Sequence, residues 1–334
     1  MVSSKTKTAG TTMENEISAK EGEDLFAVQG DAEIQKRSFI PAVFISAALP
    51  LRDTKRNVFI RKFNNITMKL TGASRVPFGK NGRLLLSVLT THAVQEKNTE
   101  NPTEIILRYD SLQQLLDEMQ LPRQRGREVM EQLECFKECS FIYEEIQTKY
   151  IDAPSLFQND PEFASEKTVK AEKISTGLIP FFEAMQYVRL TDKSENQRNM
   201  AFEIKLAVPF IKLSQKHSVP INYTSYKNIT SALGKDLYAW FCYRNNSLGG
   251  EPLFVPRDKL VEQFMPVQNT NNPQSQESVN FNHIKEVVED IKKKYYPELN
   301  VSFPQDGSGM YLRKSPPIML PDDKVRYVLV TSDN

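Results

Sequence analysis

The sequence predicts an α+β protein: two tandem winged helix-turn-helix domains, a small accessory β-sheet and a disordered N-terminal arm. Three observations carry that expectation. Residues 76–143 read as helix, short strand, helix, tight turn, basic-headed helix and strand. Residues 223–314 repeat that order at weak sequence identity, as tandem units do. Short β-rich segments precede the first unit and end the second. The implied organisation is an arm at 1–37, a first winged-helix domain with accessory strands and an enlarged wing at 38–207, a second winged-helix domain at 208–320, and a C-terminal tail at 321–334.

A chain of 334 residues has the length for about two cores. Its composition, 40% hydrophobic and 25% charged, is that of a soluble globular protein, and its net charge of +1 creates no global field for a polyanion. Any nucleic-acid partner must therefore be held by local basic clusters. Cys135, Cys139 and Cys242 are too sparse for a disulfide framework and suit a reducing cytoplasm. The first thirty-odd residues lack the apolar core of a signal peptide, and no stretch approaches the ~20 apolar residues of a membrane helix. The expected location is cytoplasmic, without membrane insertion.

Met1 to Arg37 is polar and acidic and reads as a disordered, solubilising arm. VFIRKF and ITMKLT, separated by Asn64-Asn65, read as a β-hairpin with one buried and one solvated face. Leu84, Leu85, Val88, Leu89 and Val94 form an apolar stripe at helical spacing. Asp110 or Ser111 can cap a helix whose core face is Leu112, Leu115, Leu116 and Met119. Leu121-Pro122 then breaks the chain. Arg123, Gln124, Arg125 and Arg127 head the next helix, with Val129, Met130, Leu133 and Phe136 as its buried side.

Long bidentate donors at a helix start suit base edges and phosphates: arginine matches guanine, and glutamine matches adenine. The same helix carries Glu128, Glu131 and Glu134, which repel phosphate if they face it. FIYEEIQTKYI reads as a strand of the winged region, with Lys149 placed to touch phosphate, and YVRLTDKSENQRNMAFEIKLA as a second hairpin. In the second unit YTSYKNITSALGKDLYAWFCYRNNSL reads as one long helix, LFVP as a strand and RDKLVEQFM as a short helix. The polar run VQNTNNPQSQESVN stands where the turn belongs, which implies a lengthened turn. The following helix buries Phe281, Ile284, Val287, Val288 and Ile291, and offers Asn282, His283, Lys285, Lys292 and Lys293 to DNA.

Catalytic chemistry finds no foothold, so no cofactor, metal or enzymatic activity is expected. From Gly72 to Gly79-Lys80-Asn81 the glycines are two residues too far apart for a phosphate loop, and Asn81 stands where Ser or Thr would hold magnesium. His92, His217 and His283 are isolated, and Cys135 and Cys139 lack the companions that zinc needs.

Pro77-Phe78-Gly79 with Arg83-Leu84-Leu85-Leu86, followed by SLQQLLDEMQL, resembles the plasmid-encoded RepA-type replication initiators. KDLYAWFCYRNNSL, FVPRDKLVEQF and MYLRKSPP are similar to that family's C-terminal region in order and spacing, so the resemblance covers residues 39–317. One departure is LPRQRGRE, where family members often carry a glycine-rich turn. The resemblance implies a bacterial protein that binds repeated double-stranded origin sequences, promotes origin opening, and recruits the host replication initiator and helicase, with a homodimer among its states. The alternatives are a winged-helix transcriptional repressor and, from another class, a metal-dependent nuclease or nicking enzyme.

Overall fold

The structure is a computed structural model that describes residues 35–63, 66–95, 104–152, 168–175, 177–187, 201–267, 271–319 and 327–329. The polar arm expected at 1–37 lies almost wholly outside these residues, as do Asn64-Asn65. Strand β1 (Gln35–Pro41) leads into a buried single turn, α1 (Ala42–Ser46), and then the hairpin β2 (Val58–Phe63) and β3 (Ile66–Thr71). The hairpin register runs from Val58 opposite Thr71 to Phe63 opposite Ile66.

Its faces differ from the expected division of apolar from basic. The two-residue period puts Phe59, Arg61 and Phe63 on one face, so Arg61 is buried while Ile60 is 54% exposed. Burial is tolerated because Arg61 Nη1 donates to the carbonyl of Gln263 at 2.8 Å and the guanidinium stands over the Phe59 ring at 5.4 Å. Burial pulls its pKa down to about 10, with Asp236 opposing the shift.

Helix α2 (Gly79–Gln95) is not a one-striped helix but is buried around nearly its whole girth. Its buried hydroxyls are satisfied locally: Ser87 and Thr90 donate to the carbonyls of Leu84 and Leu86, each at 2.7 Å. Next come β4 (Ile106–Tyr109), α3 (Leu112–Glu118), a 3-10 turn (Arg123–Arg125) and α4 (Gly126–Lys137). Ser111 caps α3 by accepting from the Gln114 amide at 3.3 Å. Val129, Leu133 and Phe136 are buried on α4, and Met130 is half-buried.

The chain then makes β5 (Ser140–Asp152), β6 (Thr168–Ser175) and β7 (Leu178–Pro180), followed by β8 (Phe182–Tyr187) and β9 (Phe202–Leu206). Pairing corrects the expected wing. Strand β5 extends the accessory sheet in the order β2-β3-β5-β6, with β7 also on β5, whereas β4 pairs with the hairpin β8–β9 in the order β4-β9-β8. The hairpin of the first unit is therefore β8–β9, and FIYEEIQTKYI with Lys149 is an insertion ahead of it. The cause is an apolar anchor. Phe141 on β5 is buried and meets Phe44 and Phe181 at 5.0 and 5.1 Å, which holds this strand beside β3. Phe181 in turn stands 4.7 Å from Phe136 on α4, so the same aromatic cluster fixes that helix.

The connection to the second unit is α5 (Val208–Lys216), β10 (Ser218–Asn222) and α6 (Tyr223–Asn228). Strand β10 pairs antiparallel with β1. The expected long helix from Tyr223 is thus two helices, α6 and α7 (Ala232–Ser247). Ser231 ends the continuity by accepting from the Gly234 amide at 2.9 Å, and Ile229 is extended. After α7 follow β11 (Leu253–Pro256), α8 (Arg257–Phe264), α9 (Pro273–Lys294), β12 (Val301–Ser302) and β13 (Gly309–Leu312). The turn before β13 is made at Gly307, whose φ of +68° suits glycine. Strand β14 (Tyr327–Leu329) lies parallel to β1.

The second small sheet has the order β11-β13-β12. In both units the first strand pairs with the last, and the last with the middle one. Each unit also presents helix, strand, helix, helix and hairpin in that order, so the repeat seen in the sequence is a repeat of connectivity. The connection in the second unit, from the end of α8 at Phe264 to the start of α9 at Pro273, is shorter than the polar run, because α9 begins inside it. Asn272 caps it by accepting from the Ser275 amide at 3.1 Å, and proline occupies the first turn, where its missing N–H costs no helical bond. One hydrophobic core runs continuously through both units.

Candidate nucleic-acid interface

The approach to α4 is shaped residue by residue. Gln120 takes a left-handed φ of +51° at the end of α3, and Pro122 is extended, with its carbonyl accepting from the Arg125 amide at 2.9 Å. Gly126 then lets α4 press on α3, since a Cβ there would stand 3.2 Å from Leu112 Cδ2. Val129, Leu133 and Phe136 anchor the inner side, and the head of the helix is left facing solvent. Arg123, Gln124 and Arg127 are exposed, and neither arginine makes an ion pair among the described residues. Arg125 is half-buried and bound to Glu128 at 2.6 Å.

The acids of α4 do not oppose those arginines, because each is engaged within the fold. Glu128 accepts from Arg125 and from Asn81 Nδ2, each at 2.6 Å. Burial works to raise the Glu128 pKa, yet these donors hold it below the usual carboxylate range. Glu131 accepts from Arg75 Nη1 at 2.6 Å, and Glu134 accepts from Lys137 and the Tyr187 hydroxyl. Sequence reasoning missed Arg75, Asn81 and Tyr187 in this role, because each reaches α4 from another part of the chain.

Helix α9 presents a different surface. Phe281, Ile284, Val288 and Ile291 face the core, so the helical period turns Ser275, Val279, Asn282 and Glu286 outward. Val279 is 59% exposed on this polar face. Asn282 lies at its middle, with His283 beside it and 3.6 Å from Glu286. Lys285 is on the flank, 5.6 Å over the Phe303 ring. Lys292 is half-buried and Lys293 exposed, about 16 Å further along the helix than Asn282. The structure thus groups Asn282 and His283, and sets Lys285, Lys292 and Lys293 apart from them. Ser275 and Val279 were not singled out in the sequence, although the Asn-Pro pair at 272–273 is a helix-start signal that would have placed them. Lys149 falls in β5 opposite Ala171, in the accessory sheet and not in the β8–β9 hairpin of the first unit.

The two units are locked together behind these surfaces. Arg83 Nε and Nη2 donate to the two oxygens of Asp236 on α7, each at 2.6 Å. The same guanidinium donates to the carbonyls of Leu49, Pro50 and Gly79 at 2.6, 2.9 and 2.9 Å. Side-chain exposure is 3% for Arg83 and 8% for Asp236, so this is a buried bidentate clamp. Phe78 adds a second tether, its amide donating to Gln132 Oε1 on α4 at 2.9 Å. The segment from Pro77 to Leu86 thus acts as scaffold for α4.

Among the described residues no three His, Cys, Asp or Glu side chains come together as a metal site, and no helix is long and apolar enough to cross a membrane. Cys135, Cys139 and Cys242 are free and buried, and burial pushes their thiols up to about 11, 12 and 12. A chromogenic disulfide reagent should therefore leave all three unmodified in the native protein and label all three in denaturant. Rapid labelling of native Cys135 or Cys139 would show an accessible thiolate instead.

No protein-family model and no curated protein sequence matches this chain. Among solved structures it is similar to domains 2 and 3 of RctB, at 12% identity and a TM-score of 0.47, covering 83% of this chain and 99% of that one. A second structure of RctB domains 2–3 matches at 11% identity and a TM-score of 0.44, covering 80% and 94%. At these values the likeness carries no functional reading, which rests on the geometry above.

Proposed function

We propose that the protein binds double-stranded DNA sequence-specifically through two winged helix-turn-helix units, and that it serves as a plasmid replication initiator acting on repeated origin sites. The observation that carries the DNA-binding reading is the head of α4: Arg123, Gln124 and Arg127 stand exposed while every acid within that helix is held by an internal partner. Such long donors at a recognition-helix start match guanine and adenine edges. In α9, Asn282 suits adenine and Val279 a thymine methyl, with Lys285, Lys292 and Lys293 on phosphates. The narrower initiator reading is supported by the resemblance of residues 39–317 to RepA-type initiators, whose Pro77 to Leu86 segment is here the scaffold of the first unit. In this reading DNA binding marks or opens the origin for host replication proteins, and the chain performs no catalysis of its own.

The test is a footprint of the purified protein across the DNA flanking its gene. Protection of several direct repeats, each spanning two groove segments about one helical turn apart, is the expected result. A single protected palindrome would favour a repressor. Magnesium-dependent cleavage of supercoiled DNA, lost on changing an acid and not an arginine, would overturn the proposal in favour of a nuclease.

A further inference from the structure

The loop between α1 and β2 carries LRDTKRN at residues 51–57. Arg52, Lys55 and Arg56 are exposed, and none makes an ion pair among the described residues. Asp53, the one acid of this stretch, is taken by Arg75 at 3.2 Å, and the same Arg75 nitrogen donates to Glu131 on α4 at 2.6 Å. One side chain therefore ties the loop to the outer side of the helix, a single turn from Arg127. The loop is fixed at both ends as well, by the Gly79 amide on the Pro50 carbonyl at 3.0 Å and the Gly72 amide on the Asn57 carbonyl at 2.8 Å. Within it the Lys55 amide donates to Asp53 Oδ1 at 2.7 Å, which holds Lys55 at a left-handed φ of +52°.

An unconstrained run of exposed cations is ordinarily a solvated surface, and its charges are screened. Here the loop is pinned, its acid is neutralised, and the pin, Arg75, is fastened to Glu131 of the reading helix. A helix in the major groove has a sugar-phosphate strand on either side of it, since the groove is ~12 Å wide. A loop fastened to the side of that helix meets the strand and not the base edges. We infer that Arg52, Lys55 and Arg56 form a phosphate-binding shelf that seats one DNA strand beside α4. The inference rests on the reading of α4 as DNA-facing. Arg75 is a positioning residue in it, setting the shelf against the helix while masking two acids.

The experiment measures binding of the full chain to a random-sequence duplex by fluorescence anisotropy over a series of salt concentrations. Each phosphate contact contributes ~0.9 to the slope of log affinity against log salt, so the triple variant Arg52→Ala/Lys55→Ala/Arg56→Ala should lower the slope by about 2–3. A control removing exposed charge elsewhere, Lys212→Ala/Lys216→Ala, should leave it unchanged, and urea unfolding should be the same for all three proteins. A triple variant with the wild-type slope, on duplex that the wild-type protein binds in a salt-dependent way, would overturn the shelf and leave the DNA reading standing. Wild-type protein that shows no salt-dependent binding would remove both.

Discussion

Asp236→Ala lowers the unfolding free energy by about 3–5 kcal/mol, the scale set by breaking one partner out of a buried ion pair. The loss follows from what remains. Arg83 keeps its charge and its bonds to the Leu49, Pro50 and Gly79 carbonyls, but two donors that met carboxylate oxygens at 2.6 Å now face no acceptor. Water has little access to a guanidinium that is 3% exposed. The midpoint of urea unfolding reads the change directly. An Asp236→Ala protein within about 1 kcal/mol of wild type would show that the pair is hydrated and not a clamp.

Arg123→Ala/Arg127→Ala weakens specific DNA binding by about 2–6 kcal/mol, taking each arginine as one bidentate base contact. Stability should be unmoved, since both side chains are exposed and neither holds another residue. The measurement is a titration of duplex selected by the wild-type protein from a random library, with binding to unselected duplex as reference. Loss confined to the selected duplex marks base reading, and equal loss on both marks phosphate contact. Affinity within about threefold of wild type on both would take the head of α4 out of the interface.

Local signals were legible where one element's own residues decide the outcome. Ser111 caps α3 as its side chain allows, and Val129, Leu133 and Phe136 turn inward because the helical period leaves them no other side. The exposure of Arg123 and Arg127 was legible for the same reason, whereas Arg125, grouped with them in the sequence, is half-buried and paired with Glu128. Partner choice between distant segments was not. Strand β5 joins β3 because Phe141 finds Phe44 and Phe181, a preference that appears only once those rings are brought together. Arg61 reads as a solvated base until Gln263, 202 positions away, offers it a carbonyl. At the candidate site the same limit applies: Glu131 reads as a repulsive acid until Arg75, 56 residues earlier, is folded against it. The early start of α9 was written in Asn272-Pro273, but a run of Asn, Gln and Ser around that pair favours a turn just as strongly.

The clamp between α2 and α7 has a mechanical consequence for any duplex the protein engages. A buried ion pair and a continuous core join the two units, so in the proposed role their helices α4 and α9 are held at a fixed spacing. A mismatch between their spacing and the pitch of B-form DNA then falls on the nucleic acid. Smooth bending of a 20–30 bp site by 40–90° costs on the order of 1–6 kcal/mol, and that cost varies with how easily each sequence deforms. In the proposed role, a stiff protein of this kind selects among sites by their flexibility at base pairs it never touches, and leaves the chosen one bent.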